Sequence, residues 1–498
     1  MISAMRHVSD AERRRLEQYL RKSEVPVPLA TDTAITRRTS TGPAPLSFPQ
    51  EQVLRRSEQN EDKPPLYNEC ITVHRDGALD VSALERSLKE IIRRHEIWRT
   101  SYDTVDGHAV QLIHAVTSHF SLPVLDLRGI ANSEQEACVL RSVERLTRCP
   151  FDLKRGPLLR FLLITMDDTV HRLVLVAHQS VVDGVSVYRV FPTELVALYQ
   201  AFSKGNSSPL PEPTIQFSDY TEWQRSELDV RQMDRQMNYW RDRLAGELPI
   251  LRWPADHARP KTSSYKGLIR PFAFPDTLTV PLRTSAQREG VTLFMTLLSG
   301  FVALLHRYTM QADVLVGTLS PAGRKRTELQ GLLGYFLNPV ALRFDLSSNP
   351  KFSELLQQAR VVVSEAISND DLPFELLAER LGTASGPDRH PFFSVAISLQ
   401  PTVPATIRPG WDVTSMDVGS GGSPWDLYLA FIDRPAGMIG RAQYNPDLFD
   451  EATITGMLRD FQALLEAAIL QPQLRLSDLP NDQQAMAGAK GELDLQTS

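Results

Sequence analysis

Apolar positions along this chain recur with two periods, and the two alternate. From Asp80 onward Leu84, Leu88, Ile91 and Ile92 share one helical face, with Asp80 as the expected N-cap and Arg94 to Arg99 at the C-terminal end. Val139, Val143 and Leu146 mark a second amphipathic helix over 139–149, closed by Pro150 and followed by a strand pair around 158–177. The second strand carries the apolar run 173–176, which reads as buried. Residues 187–202 are helix-like, with Pro192 inside them, where it removes a hydrogen bond and favours a kink. The alternation then repeats as a helix over 292–308, a strand over 314–318, a helix over 352–368, strands over 393–399 and 427–432, and a helix over 451–470. Sheets layered with helices, an α/β fold, are the expected result.

A chain of 498 residues is long for one core, and the Ser- and Pro-rich segment 206–213 is its clearest internal linker. Two lobes are expected, 43–214 and 215–476. Residues 1–42 hold a charged helix candidate over 9–22, opened by Ser9 with Glu12 three residues on, and then a linker rich in Pro and Thr. That segment is either a plain linker or a docking element. The polar stretch 477–498 is expected to be a flexible, unfolded tail.

Charge narrows the function. Lys and Arg number 54 against 60 Asp and Glu, net −6, with no dense basic run, which leaves no electrostatic footprint for nucleic acid or an anionic membrane. The apolar stretch 291–305 is interrupted by Thr292, Thr296, Ser299 and Gly300, too short and polar to span a bilayer, and is read as a core helix. No secretory signal is read at the N-terminus. Cys70, Cys138 and Cys149 lack metal spacing, so no metal site is expected; buried free thiols in a reducing cytosol are, which places the chain in the cytoplasm.

Candidate chemistry sits directly after the buried strand, in Ala177-His178-Gln179-Ser180-Val181-Val182-Asp183-Gly184-Val185-Ser186. This resembles the HHxxxDG motif of nonribosomal peptide synthetase condensation domains, of the chloramphenicol-acetyltransferase-like superfamily, with Gln179 in place of the second His. Six further segments match the family in order: 45–52, 94–102, 217–223, 333–343, 369–375 and 388–395. In the second of them Trp98 replaces the usual Leu. The resemblance runs from about residue 43 to about residue 470.

The resemblance implies two chloramphenicol-acetyltransferase-like α/β sandwich lobes in a V-shaped pseudo-dimer, acting as a monomeric domain. It implies a tunnel between the lobes, entered from opposite faces by phosphopantetheine arms on donor and acceptor carrier proteins or adjacent modules, with no cofactor held by the domain itself. Gln179, His178 and Gly184 are the candidate catalytic residues. Asp183 and Arg99 match the family's buried ion pair, and Ser186, Tyr335, Asn338 and Ser423 fall where the tunnel is lined. His178 is expected to be mainly structural. Gly184 either brings backbone N–H donors to a developing oxyanion or merely makes the turn.

Gln179 decides the chemistry to expect. A carboxamide can orient a substrate but cannot deprotonate it. An α-amino acceptor of pKa ~8 is partly neutral already, so positioning can suffice for it, whereas an alcohol has no such reserve. The expected activity is amide formation between a carrier-bound acyl or peptidyl thioester and a carrier-bound amine. The alternatives are a degenerate scaffold that recruits a carrier or tailoring enzyme, and an acyltransferase that uses a soluble thioester.

Overall fold

The computed structural model describes residues 34–479 apart from 59–62, 117–119, 228–229, 383–391, 405–406, 408–409, 416–417 and 435–436. The helix expected over 9–22, most of the 477–498 tail and the first half of the 388–395 segment lie outside the described residues. The described chain ends in a tight turn, Leu476–Asp478, and Leu476 and Leu479 are buried, so these residues belong to the folded part and not to the tail.

Strands β1 (Ala44–Pro45), β2 (Asn68–Asp76), β3 (Thr100–Val105), β4 (His108–Ile113), β5 (Val124–Asp126), β6 (Leu159–Asp167) and β7 (Val170–His178) come from the first half of the chain. The second half supplies β8 (Leu268–Phe274), β9 (Asp313–Ser320), β10 (Asn338–Asp345), β11 (Val395–Gln400), β12 (Trp411–Ser415), β13 (Leu427–Arg434) and β14 (Gly437–Tyr444). They form two main sheets, β12-β2-β7-β6-β5 and β10-β9-β11-β13-β14-β8, and a small one, β1-β4-β3. In the second sheet β11 runs parallel to both β9 and β13; the other pairs there are antiparallel.

Side-chain caps fix the start of two long helices. Asp80 caps helix Val81–Arg94 by accepting the Ala83 N–H at 3.0 Å. Thr292 caps helix Leu293–Thr309 through the Met295 N–H, and Leu297, Leu298, Phe301 and Leu304 of that helix are fully buried. Such a helix is apolar all round because its neighbours cover every face. Pro192 falls in the first turn of helix Phe191–Phe202, directly after a five-residue π turn, Ser186–Val190, so the irregularity precedes the proline.

Elements from beyond the boundary expected at 214/215 join the first lobe. Phe217 and Tyr220 of helix Phe217–Glu227 pack in the first core with Phe336, their rings 4.9 and 5.0 Å from it, and the second core begins at Met237. β12 leaves the second half to pair antiparallel with β2 at the edge of the first sheet, Val413 opposite Val73. Of the three cysteines, all free, only Cys70 is buried; Cys149 is exposed, contrary to expectation, because it lies just past the end of helix Asn132–Arg148.

Candidate active site

The His178–Gly184 loop is held from below by the sheet that delivers it. The His178 N–H donates to the Leu158 carbonyl at 2.9 Å and the Gln179 N–H to the Tyr67 carbonyl at 2.7 Å. A tight turn, Gln179–Val181, follows, and the Asp183 carboxylate accepts the Ser186 N–H at 2.8 Å to close the loop. The chain thus passes from strand to turn to π turn within a dozen residues.

His178 is buried between the ring edges of Tyr67 and Phe151, at 6.2 and 6.3 Å between centroids. Its Nδ1 accepts from the Ser180 hydroxyl at 2.7 Å and from the Ser180 N–H at 3.4 Å, which puts the ring proton on Nε2, facing Ser57 Oγ at 3.4 Å. Burial pushes the imidazole down to about 3, so it is neutral across the physiological range. The unfolded value of ~6.5 exceeds the folded one, so stability is undiminished above pH ~6.5 and falls as pH drops, by up to ~1.4 kcal/mol per pH unit. Imidazole nitrogen NMR should show His178 neutral from pH 8 to pH 5; protonation within that window would contradict this environment.

Asp183 is ion-paired, but not with Arg99. Arg324 Nε and Nη2 reach its two carboxylate oxygens at 2.8 Å each, and the side chains are 4% and 0% exposed. Arg324 also donates to the Leu329 carbonyl and the Ser186 hydroxyl, and lies over the Phe336 ring at 4.3 Å. Arg99 instead ends the short turn Glu96–Arg99, donates to the His114 carbonyl and faces Glu96 at 3.5 Å. The turn after helix Val81–Arg94 directs it there, away from the loop. Arg94 and His95 of the same segment instead hold Glu194, at 3.2 and 3.0 Å.

Three of the four expected tunnel residues are spent on backbone. Ser186 is buried against Gly334, donating to its carbonyl at 3.0 Å and accepting its N–H at 3.1 Å. Asn338 donates to the Asp370 and Leu372 carbonyls, both at 2.8 Å, and accepts the Phe374 N–H. Ser423 donates to the Trp425 carbonyl at 2.8 Å. The fourth, Tyr335, is buried against Val53 and Tyr67. Polar side chains next to turns are commonly consumed in this way. Gly184 meets the second half of the chain so closely that a Cβ there would overlap Gln400 Oε1 and lie 3.2 Å from Pro401 Cδ.

Two cavities adjoin the loop and share Leu66, Tyr67 and Asn68 as walls. A cleft of about 420 Å³ reaches His178, with Ser57, Phe151, Lys63 and Lys154 among its lining. On the other side a chamber of about 40 Å³ is lined by Gln179, Glu69 and Cys70 from the first sheet and by Trp425, Tyr428 and Arg441 from the second half of the chain. Gln179 is half-buried, and its carboxamide makes no hydrogen bond among the described residues. Burial pushes the Cys70 thiol up to about 12, so it stays protonated. Arg324, Glu69 and Arg441 were not expected from sequence. Only Arg324 carried a signal, the Pro321-Ala322-Gly323 turn after a strand, where Gly323 lies so close to Tyr220 that a Cβ would be 2.7 Å from its hydroxyl.

Two lobes, each a mixed sheet covered by helices, with a His-x(4)-Asp-Gly loop between them, define a chloramphenicol-acetyltransferase-like fold. Within that class, the Condensation domain family profile matches residues 40–486, and the chain belongs to this family. It is 39% identical over 443 residues to a component of the linear gramicidin synthase of Brevibacillus parabrevis, covering 88% of this chain and 6% of that protein. It is 34% identical over 484 residues to phosphinothricin tripeptide synthetase PhsC of Streptomyces viridochromogenes, covering 95% of this chain and 43% of that one. The chain therefore spans less than half the length of these relatives. Among solved structures, the X-domain from teicoplanin biosynthesis superposes with a TM-score of 0.76 at 25% identity, covering 90% of this chain and 100% of the X-domain; a complex of that X-domain with OxyB is also known.

Proposed function

We propose that the chain is a condensation-domain acyltransferase that joins a carrier-bound acyl or peptidyl thioester to a carrier-bound amine, with Gln179 as a positioning group. The observation that carries this reading is the Gln179 carboxamide, without a hydrogen bond among the described residues, on the wall of a polar chamber between the lobes, beside a cleft that opens onto His178. The cleft is of the size that holds a small ligand, and its two lysines offer cationic partners for the phosphate of a phosphopantetheine arm. The acceptor amine, partly neutral at pH 7, attacks the thioester carbon; the C–N bond forms, the C–S bond breaks and the thiol takes the proton. Gly184 lets the loop pack directly against Gln400 and Pro401, which a side chain there would prevent. Carrier proteins in the cytoplasm are the partners.

A second reading, a scaffold that recruits a partner enzyme without acyl transfer, draws on the small size of the chamber and on the likeness to the X-domain, which forms a complex with OxyB. Intact-mass analysis of loaded donor and acceptor carriers incubated with the protein separates the two. Loss of the acyl mass from the donor and its gain on an amine-bearing acceptor is expected. No transfer between verified cognate carriers would overturn the acyltransferase reading in favour of the scaffold.

A further inference from the structure

The chamber at Gln179 contains an ion pair that crosses between the two sheets. Tyr67 accepts the Gln179 N–H, and Asn68 turns its side chain to the opposite face of β2, donating to the Thr147 and Cys149 carbonyls at 2.7 and 2.9 Å. Strand alternation then places Glu69 on the face of Tyr67, toward the chamber. From β14 of the second sheet, Arg441 Nη2 donates to Glu69 Oε2 at 3.3 Å. That is the only hydrogen bond of either side chain among the described residues, so Glu69 Oε1 and the remaining guanidinium N–H groups are unspent. The side chains are 37% and 16% exposed, and both line the chamber. Burial opposes the Arg441 charge, but Glu69, Tyr188 and Tyr428 hold its pKa above the ordinary value.

A fixed cation and a fixed anion on one chamber wall complement a species that carries both charges. Attack of a neutral amine on a thioester gives such a species. The nitrogen lone pair forms the C–N bond, the carbonyl π pair moves onto oxygen, and the intermediate carries N⁺ and O⁻ on atoms bonded to the same carbon. We propose that Glu69 and Arg441 are further catalytic residues of the acyl transfer proposed above, Glu69 stabilising the nascent ammonium and Arg441 the nascent oxyanion. When the oxyanion reforms the carbonyl, the C–S pair leaves as thiolate, and the ammonium proton passes by way of Glu69 to that thiolate. The products are amide and thiol, with no outside base. This inference rests on the acyltransferase reading and explains how a chamber with Gln179 in place of a basic side chain still supports aminolysis. Preorganised charges aimed at developing charge are an effective source of catalysis in a site shielded from water.

The test is single-turnover aminolysis between loaded donor and acceptor carriers, followed by intact mass, with melting temperature recorded for each protein. Glu69→Gln and Arg441→Gln are each expected to slow transfer by about 10²-fold. The swapped pair Glu69→Arg/Arg441→Glu keeps the bridge but reverses its polarity, so it should restore melting temperature and leave transfer slow. Adding Gln179→His to Glu69→Gln should recover much of the rate, since an imidazole can take the ammonium proton. Transfer within threefold of wild type in both single variants, or recovery of the rate by the swapped pair, would overturn the proposal while leaving the acyltransferase reading intact. Should the swapped pair fail to fold, the two single variants and the Gln179→His rescue decide the question. Absence of product from the wild-type protein would sink both proposals together.

Discussion

Arg324→Ala is expected to lower the unfolding free energy by about 3–5 kcal/mol, because it leaves the Asp183 carboxylate buried without its cation. The same carboxylate also accepts the Ser186 and Phe336 N–H groups, so the loss reaches both the motif loop and the facing turn of the second half of the chain. Arg99→Ala, by contrast, should cost less than ~1 kcal/mol, since its partner Glu96 is half-exposed and within its own turn. Denaturant melts of the two variants check this directly. A combined Asp183→Leu/Arg324→Met variant should regain much of the loss, because two apolar side chains leave no charge stranded. If Arg324→Ala melts like wild type, the pair is not what holds the loop between the lobes. Loss of acyl transfer in these variants would follow from the loss of this support and would not make either residue part of the chemistry.

How the pair escaped sequence reasoning follows from what local patterns encode. Helices 352–368 and 451–470 were legible to the residue because their apolar period and their ends are properties of contiguous sequence; Glu354, for instance, reaches back to the Lys351 N–H. The strand ending at His178 was legible as an unbroken apolar run. Asp183 and Arg324 stand 141 positions apart, and the pairing depends on how two lobes meet, which no period expresses. Arg99 matched the family role only as an arginine at a helix end. The pairing of β12 with β2 was hidden for the same reason, since Trp411–Ser415 is short and its partner lies in the other half of the chain.

The candidate site divides along the same line. Residues of the motif itself, His178, Gln179, Asp183 and Gly184, were visible in sequence and adjoin one another in the fold. Of the residues expected along the tunnel, Ser186, Asn338 and Ser423 bond neighbouring carbonyls and Tyr335 packs against Val53 and Tyr67, because a polar residue near a turn shows what it can bond but not which carbonyl will claim it. Glu69 reads in sequence as one polar residue in a strand, and Arg441 as another. Only the reach of Arg441 from β14 of the second sheet to Glu69 of β2 turns them into a charged pair beside Gln179.

Gln179→His should raise transfer to a hydroxyl acceptor by about 10²-fold or more, and transfer to an amine by less. General-base assistance is worth roughly 10²–10⁴ in rate, and the full benefit falls to a nucleophile that cannot shed its proton unaided. An alcohol is such a nucleophile; an amine of pKa ~8 already presents a neutral fraction at pH 7. The chamber suits the change. Arg441 and Glu69 both line it with Gln179 and act in opposite directions on an imidazolium, so a histidine at 179 of ordinary pKa ~6.5 would be mostly in its basic form at neutral pH. Gln179→Ala should lower amide formation only modestly, since a positioning contact is lost but no proton acceptor. Single-turnover assays of wild type and both variants, with amine and hydroxyl acceptors on cognate carriers, give the rates that matter. If the wild-type protein forms ester as fast as amide, the missing base does not limit the reaction and another group must be removing the proton. If Gln179→His gains nothing with the hydroxyl acceptor while the amide rate of wild type is intact, residue 179 does not reach the reacting oxygen, and its carboxamide is not positioning the acceptor.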